Sequence, residues 1–312
     1  MNTLQGIRGN NCRMRIAVCF TGLAYGKTSG RNEVATDCLL SLASIKQCVY
    51  QDYDCDTYFH AWIDTQETER NLCALLKPKA YIAEPSREFH KDARHADFNL
   101  SKTGKLVPAG KRTNNHNTLS QVYSRSQSIN LALKTMKKEG LRYDFIIALR
   151  LDLHFNKTIP YLKIRSDVLT DSGYGKHPEV QHGFFFIGSP AVMARLPAMD
   201  AFAQEKVKRG VDLLSIHTCI FTPFFNSWKG QPKIHTLFNF RRDFTLPRYL
   251  KKQKKHHLSA SYDEMLKSEL QDPKLEQYLQ RNQAIDRVST WYLLSQLHDY
   301  PVSESPGACK TV

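Results

Sequence analysis

The chain has 312 residues, of which 41% are hydrophobic and 24% are charged, and its formal net charge is +14. This composition is typical of a globular protein with enough apolar residues for a full core. No apolar run reaches the roughly 18 residues that a membrane-spanning helix needs, and residues 1–20 lack the apolar core and cleavage site of a signal peptide. We therefore expect a cytoplasmic protein.

The cysteines and the net charge indicate the cellular compartment and the kinds of partner of this protein. The eight cysteines form no CxxC pair, so we expect free buried thiols in a reducing compartment rather than disulfides or zinc. The positive charge attracts anionic partners of several kinds: nucleic acid, anionic lipid or phosphorylated substrates. Its densest run, residues 248–257, is either a solvated loop or a patch that holds the protein at the inner face of an anionic membrane or against a phosphorylated acceptor.

The N-terminal half alternates strands and helices after a polar tail over residues 1–14. In chain order the predicted elements are a strand over 15–20, a helix over 34–49, a strand over 56–62, a helix over 67–76 and a strand over 79–84. This βαβαβ order implies parallel strands joined by right-handed crossovers.

A break in this alternation comes at residues 86–117, which are polar and basic and contain Gly and Pro. We expect a long mobile loop there, either a lid or a disordered segment. A clear helical pattern follows, in which Thr118 and Gln121 form a capping box and Gly140 stands where the helix would stop. The helix leads into residues 145–149, whose uniformly apolar side chains are typical of a strand buried on both faces in a parallel sheet.

The second half continues with fewer distinct patterns. We predict a strand and turn over 182–190, a helix over 191–208, a strand over 233–240 and mostly helix over 261–297. The domain prediction is one α/β domain with a mainly parallel sheet over 15–245, followed by a basic linker and helical region over 246–312 that packs on it.

Charged residues follow the buried strand directly, in the sequence Arg150-Leu151-Asp152-Leu153-His154. In open α/β sheets, ligands bind beyond the carboxyl ends of the strands. A diphosphate needs a divalent cation, and Mn²⁺ or Mg²⁺ prefers oxygen ligands. We interpret Asp152 as a metal ligand, with His154 or a distant residue as the second ligand. Arg150 would offset phosphate charge. The alternative is that Asp152 only caps the strand end or pairs with Arg150.

Four short motifs stand in a fixed order between residues 15 and 190. They are RIAVCFTG (15–22), DTYFHAW (56–62), YSRSQSIN (123–130), and YD (143–144) followed by RLDL (150–153). Together they resemble a group of glycosyltransferases from bacterial capsule and lipopolysaccharide gene sets and from large viruses, whose fold is GT-A. The resemblance implies a Rossmann-like, mainly parallel sheet flanked by helices and a nucleotide-sugar donor.

The same resemblance implies a donor site. The Thr21-Gly22-Leu23 loop and the strand end from His60 to Trp62 would lie beside the nucleotide, and Arg125 would approach the donor. Asp152 would occupy the metal-binding place of the family's DxD motif, and Mn²⁺ or Mg²⁺ would be the cofactor. Arg150 stands where the first aspartate of that motif would be.

An acceptor side is implied by analogy with other GT-A enzymes, and it would include His182 and Gly183. An inverting enzyme needs a general base within hydrogen-bond reach of the acceptor hydroxyl. The candidates are Asp212, His217 and Asp243. The implied reaction moves a sugar from a nucleoside diphosphate sugar to a hydroxyl of a glycan or glycolipid, in surface polysaccharide biosynthesis.

Two other hypotheses stay open. Residues 21–28, TGLAYGKT, follow a strand and end in Gly-Lys-Thr, like the phosphate-binding P-loop of phosphotransferases, although Thr21 replaces its first glycine. Residues 238–249 interleave basic and aromatic side chains, as nucleic-acid-binding proteins do, but the chain lacks helix-turn-helix, zinc-finger and RNA-recognition signatures. We therefore expect no nucleic-acid partner.

Overall fold

A computed structural model describes most of the chain between residues 13 and 246. The described ranges are 13–23, 25–27, 35–51, 53–63, 65–87, 89, 98–100, 106–108, 114–173, 183–211, 213, 216–228, 234–240 and 243–246. The predicted helical region over 261–297 and the basic run over 248–257 lie outside them.

Thirteen strands and six α-helices are present in these ranges. In chain order they are β1 (Arg15–Leu23), β2 (Tyr25–Lys27), β3 (Ala35–Asp37), α1 (Leu39–Ile45), β4 (Asp54–Trp62), α2 (Gln66–Leu76), β5 (Ala80–Glu84), β6 (Phe98–Leu100), β7 (Leu106–Pro108), α3 (Asn114–Glu139), β8 (Phe145–Arg150), β9 (His154–Phe155), β10 (Leu169–Gly173), β11 (Phe185–Gly188), α4 (Pro190–Met193), α5 (Ala198–Lys208), α6 (Thr222–Asn226), β12 (Ile234–Asn239) and β13 (Phe244–Thr245). Short π-helical turns cover Lys46–Tyr50 and His217–Phe221, and a 3₁₀ turn covers Tyr161–Lys163.

The centre of the fold is a seven-stranded sheet with the order β5-β4-β1-β8-β11-β10-β12. Four neighbouring pairs are parallel, and β11 runs antiparallel to both of its neighbours. The prediction of an α/β fold with a mainly parallel sheet is therefore confirmed. The strands β5-β4-β1-β8 have the 3-2-1-4 order of Rossmann-like nucleotide-binding sheets, which puts a topological switch point between β1 and β8.

Two apolar layers cover the sheet, because its central strands alternate side chains between two buried faces. On one face, Ile16, Val18 and Phe20 of β1 pack with residues of α1 and α2. On the other, Ala17 and Cys19 pack with residues of α3 and α5. The two layers fix the strand ends, and with them the side chains at the switch point.

Helix α3 begins earlier than the sequence suggests. Thr118 is buried inside the helix, so the predicted capping box is wrong. The first turn begins at Asn114, and the Asn115 side chain accepts a hydrogen bond from the Leu213 N–H at 2.6 Å. This contact comes from a distant segment, and a local capping pattern carries no information about it. The predicted stop is confirmed, because Gly140 follows the helix with φ +65°.

Other element predictions hold in part. The helix predicted over 34–49 begins at Leu39, after the short strand β3. The helix predicted over 191–208 is two helices, α4 and α5, because Pro197 lacks an N–H and interrupts the hydrogen-bonding pattern. The predicted long loop over 86–117 includes the paired strands β6 and β7 and the first turn of α3.

Six cysteines lie in the described ranges, and none of them forms a disulfide. None of the helices in these ranges combines the length and the apolar character needed to cross a membrane.

Candidate functional site

A row of polar residues crosses the sheet at its carboxyl edge. Thr21 of β1 is in register with His60 of β4 on one side and with Arg150 of β8 on the other. Because side chains alternate along a strand, these three lie on the same face as Ala17 and Ala148, which is the face covered by α3. The row therefore stands at the switch point, where ligands of open α/β sheets bind.

Helix α3 adds Ser124 to this row. Its hydroxyl accepts a hydrogen bond from the Gly22 N–H at 2.9 Å and lies 2.9 Å from His60 Nδ1. Gly22 has φ +106°, a conformation that glycine adopts readily, and apart from its chain neighbours no atom of the described residues lies within 4 Å of the position that a Cβ would occupy. The backbone at the end of β1 is thus held from one side and open on the other.

His60 is buried between two polar partners. Its Nε2 lies 3.0 Å from Glu84 Oε1, and its Nδ1 faces Ser124. Burial lowers the pKa of His60, and the Glu84 carboxylate offsets part of that effect. A neutral ring can donate through Nε2 to Glu84 and accept through Nδ1 from Ser124. The His60 carbonyl, 3.3 Å from the Ser124 hydroxyl, is the other acceptor for the single proton of that hydroxyl. The order acid, imidazole, hydroxyl matches a hydrolase triad, but the Ser124 side chain is fully buried and already bonded to Gly22. Its role is to hold the loop.

Arg125, the next residue of α3, is 3% exposed. Its Nη2 donates to the Gly183 carbonyl at 2.5 Å, and its guanidinium lies 4.9 Å from the centre of the Phe186 ring and 5.2 Å from that of Phe221. Its Nε and Nη1 atoms are buried and have no hydrogen-bond partner among the described residues. Buried N–H donors of a charged group are strongly stabilised by an anion that accepts from them.

The charge of Arg125 is incompletely balanced. Burial lowers its pKa to about 9, and Arg150 contributes to this decrease, whereas Asp171 opposes it. The guanidinium therefore remains positive at neutral pH. It shares the α3 face of the sheet with Arg150, so two guanidinium groups converge beside the switch point.

Asp171, which we did not predict as a site residue, is linked to Arg125 through the backbone of Gly183. It is fully buried in β10, and its Oδ1 accepts a hydrogen bond from the Gly183 N–H at 2.9 Å. Gly183 has φ +57°, and a Cβ there would lie 2.1 Å from an atom of the Phe221 ring. The sequence signal for Asp171 is the polar run Thr170-Asp171-Ser172 within a buried strand. A buried carboxylate needs hydrogen-bond partners, so such a run marks a candidate site residue. Ser124 was also missed, although it adjoins Arg125 in a quoted motif.

Asp152 and Arg150 form a bidentate ion pair. Arg150 Nε donates to Asp152 Oδ1 and Arg150 Nη2 donates to Asp152 Oδ2, both at 2.6 Å. The alternative interpretation of Asp152 as the partner of Arg150 is thus the arrangement in the structure.

This pairing fits the predicted metal site poorly. Both Asp152 oxygens already accept from a cation, and His154 is 1% exposed, in β9. The described residues contain no cluster of three or more His, Cys, Asp or Glu side chains suited to a metal ion. The Asp152–His154 metal site, with Mn²⁺ or Mg²⁺, stays a prediction, and no chemical step is assigned to it.

An aromatic cluster adjoins the row at the end of β4. The buried Trp62 ring lies parallel to that of Tyr123, with centroids 5.8 Å apart, and meets His60 edge-on at 4.7 Å. The exposed Arg87 places its Cζ 3.8 Å from the Tyr123 ring centre. Leu23 of β1 is in register with Trp62. The predicted donor residues of β1 and β4 thus lie together.

The predicted acceptor-side residues are only partly described. Gly183 adjoins Arg125, and the His217 ring, half-buried, lies 6.1 Å from the Phe184 ring. Asp243 is buried beside the β9–β13 pair, where its carbonyl accepts from the Asn156 N–H at 2.9 Å. His182 and Asp212 lie outside the described residues. No general base is identified by these positions.

The P-loop hypothesis does not agree with the backbone at residues 25–27. Gly26 and Lys27 lie in β2, which pairs antiparallel with β3, opposite Thr36 and Ala35. In a P-loop the corresponding glycine and lysine lead directly into a helix whose N-terminus holds the phosphate. Here the lysine lies in a hairpin strand.

No protein-family model matches this chain, and no curated protein matches it in sequence. The fold and the site geometry are therefore the basis for a functional proposal.

Proposed function

We propose that this protein is a glycosyltransferase of the GT-A kind, which transfers a sugar from a nucleoside diphosphate sugar to a hydroxyl of a glycan or glycolipid. The observation that carries the proposal is the buried Arg125 beside Arg150 at the switch point of a Rossmann-like sheet, with two donor nitrogens that lack hydrogen-bond partners among the described residues. Such a site suits a ligand with two adjacent phosphates.

The reaction makes specific demands on this site. The bond from the anomeric carbon to the β-phosphate oxygen breaks, and the nucleoside diphosphate leaves with the electron pair. A bond from the acceptor oxygen to the anomeric carbon forms, and the acceptor proton passes to a base. Negative charge therefore develops on the diphosphate, where Arg125 and Arg150 stabilise it. A single well-placed donor of this kind contributes about 10²–10³ to a rate.

The nucleoside would lie along the ends of β1 and β4. The open side of Gly22 allows a ligand to approach the backbone closely. The His60–Trp62 strand end and the Tyr123 ring supply an aromatic wall on the same side. For the acceptor, His217 and Asp212 remain the candidate bases, and His182 would lie near Gly183.

The test is a calorimetric titration with UDP, GDP, CDP and ADP, each compared with its monophosphate, followed by an assay of turnover with sugar nucleotides of the tightest base. We expect one diphosphate to bind at least about tenfold more tightly than its monophosphate, because the second phosphate reaches the arginines. Equal binding of monophosphate and diphosphate for every base, with no sugar-nucleotide turnover, would refute the proposal.

The location at a membrane face is a separate part of the proposal, since residues 248–257 lie outside the described residues. We expect partition onto anionic vesicles, which weakens when the lysines of this run are replaced by glutamine. Unchanged partition after that replacement would refute the proposed location at a membrane.

A further inference from the structure

The Arg150–Asp152 pair bears on how the negative charge of a bound diphosphate is balanced. A divalent cation on Asp152 would have to coordinate oxygens that each lie 2.6 Å from a guanidinium nitrogen. Each oxygen keeps a second lone pair, but a metal ion there would lie close to the guanidinium, and the two positive charges would repel each other. The ion pair with Arg150 therefore weakens the case for a metal ion on Asp152.

A second pair in the chain shows that this geometry needs no metal or ligand to form. Arg165 and Asp167 have the same spacing, and their bidentate bonds are 3.0 and 2.6 Å long. Their side chains are 69% and 59% exposed, whereas those of Arg150 and Asp152 are 20% and 10% exposed. The two pairs differ in burial and in their neighbours, and only Arg150 stands beside Arg125.

Arg125 supplies the second element of the argument. Its Nε and Nη1 are buried donors whose partner is missing among the described residues. It shares one sheet face with Arg150, across the end of β8. Asp152 holds the plane of the Arg150 guanidinium through two of its N–H groups. Like a metal ion, a guanidinium can bind two phosphate oxygens at once, but its planar group of N–H donors fixes the directions of those bonds.

Building on the proposed function, we propose that the diphosphate of the donor is bound by Arg125 and Arg150 without a divalent cation. Asp152 acts as a positioning residue that holds the guanidinium of Arg150. This assigns a metal-independent diphosphate site to a place where a cation would otherwise be expected.

The experiment compares binding with and without metal on the full chain. Inorganic pyrophosphate and the nucleoside diphosphate panel are titrated calorimetrically, once in EDTA and once in Mn²⁺ or Mg²⁺, at about 0.15 M salt so that nonspecific attraction is screened. We expect binding in EDTA to be at least as tight as in Mn²⁺ or Mg²⁺, because free metal ions compete with the arginines for the same diphosphate oxygens. This comparison uses the unmodified protein, so it does not depend on whether any variant folds.

Three variants sharpen the result. Arg150→Met should weaken pyrophosphate binding by about tenfold or more in EDTA, and the matched Arg165→Met should leave it unchanged. Asp152→Asn should change the affinity by the same factor in EDTA and in Mn²⁺, because its carboxylate acts on Arg150. A metal ligand would instead show its effect only in Mn²⁺. Melting temperatures of all three confirm folding.

The outcomes separate this inference from the proposed function. Nucleoside diphosphate binding that requires Mn²⁺ and is lost in Asp152→Asn would overturn the inference and leave the glycosyltransferase proposal standing. Arginine-dependent pyrophosphate binding in EDTA, with no affinity for any nucleoside diphosphate, would support the diphosphate site and overturn the glycosyltransferase proposal. Absence of binding of every probe in both conditions would overturn both.

Discussion

The two edges of the sheet use similar residues in opposite ways. At the amino edge, Arg15 of β1 donates to Asp56 of β4 at 2.7 Å. The Tyr143 hydroxyl donates to the same carboxylate at 2.7 Å, Tyr58 lies 2.6 Å from Tyr143, and the Lys79 ammonium is 3.7 Å away from Asp56. The described charges of this cluster therefore have partners close at hand.

At the carboxyl edge, Arg125 has one hydrogen bond to a carbonyl and two donor nitrogens without a partner among the described residues. The difference appears in the pKa values. Burial lowers the pKa of Arg15, but Asp56, together with Asp54 and Tyr143, more than compensates, and the net change is an increase. Burial lowers the pKa of Arg125, and Arg150 adds to the decrease. The comparison suggests that the amino edge is organised for stability and the carboxyl edge for a ligand.

Glycines with the same backbone conformation give the sharpest contrast between the edges. Gly183, at the carboxyl edge, has φ +57° and no space for a Cβ because of Phe221, whereas Gly140, near the amino edge, has φ +65° and open space. We expect Gly183→Ala to lower the free energy of unfolding by about 3 kcal/mol, from overpacking and backbone strain. Gly140→Ala should cost about 1 kcal/mol, from strain alone. Urea unfolding measures both, and equal losses would show that Phe221 yields easily.

Replacing Arg125 tests whether the carboxyl edge serves a ligand. We expect Arg125→Met to weaken pyrophosphate binding about 100-fold, which corresponds to about 2.7 kcal/mol. The stability without ligand should change little, because removal of a buried and incompletely balanced charge offsets the loss of the hydrogen bond to the Gly183 carbonyl and of the positive charge near Asp171. Calorimetry and urea unfolding on the same preparation give both values. A marked loss of stability with unchanged binding would show that Arg125 has a structural role like that of Arg15.

Asp56→Asn is the corresponding substitution at the amino edge. It removes the carboxylate shared by Arg15 and Tyr143, and we expect a loss of about 2 kcal/mol in the free energy of unfolding without a change in pyrophosphate affinity. The exposed Asp167→Asn is the control, and we expect it to be nearly neutral because exposed ion pairs contribute little. If Asp56→Asn weakened binding as Arg125→Met does, the two edges would not be independent.

Acid sensitivity should be the smallest difference between the edges. Burial lowers the pKa of His60, despite the opposing effect of Glu84, so the unfolded chain takes up this proton first, at about pH 6.5. The free energy of unfolding should therefore fall as pH decreases from about 7 toward the pKa of His60 in the folded state, by at most about 1.4 kcal/mol per pH unit. Below that pKa, this contribution no longer changes. Urea unfolding between about pH 5 and pH 8 should show a weaker dependence for His60→Gln, and equal slopes would assign the effect to other groups.

The candidate site was predictable where it depends on strand ends. The apolar runs before Thr21 and Arg150 are readable in the sequence, and parallel strands bring their carboxyl ends to one edge. Arg125 was expected from the family resemblance, and the structure places it beside Arg150.

Contacts between distant segments were not predictable in the same way. Whether Asp152 would bind a metal or pair with Arg150 depends on side-chain directions that a sequence pattern does not record. The link from Asp171 through Gly183 to Arg125 joins three separate segments. The hydrogen bond from the Leu213 N–H to Asn115, in the first turn of α3, likewise joins distant segments.

The buried guanidinium of Arg125 also offers a way to find the donor before any acceptor is known. A buried charge whose donor nitrogens lack partners among the described residues destabilises the folded state, and an anion that accepts hydrogen bonds from it raises the melting temperature. At a ligand concentration 100 times its dissociation constant, the gain is about 2.7 kcal/mol. Thermal-shift screening of nucleotide sugars would then rank bases and sugars in one experiment. The diphosphate gives every ligand a similar rise in melting temperature, and differences between ligands report the contributions of the nucleoside and the sugar.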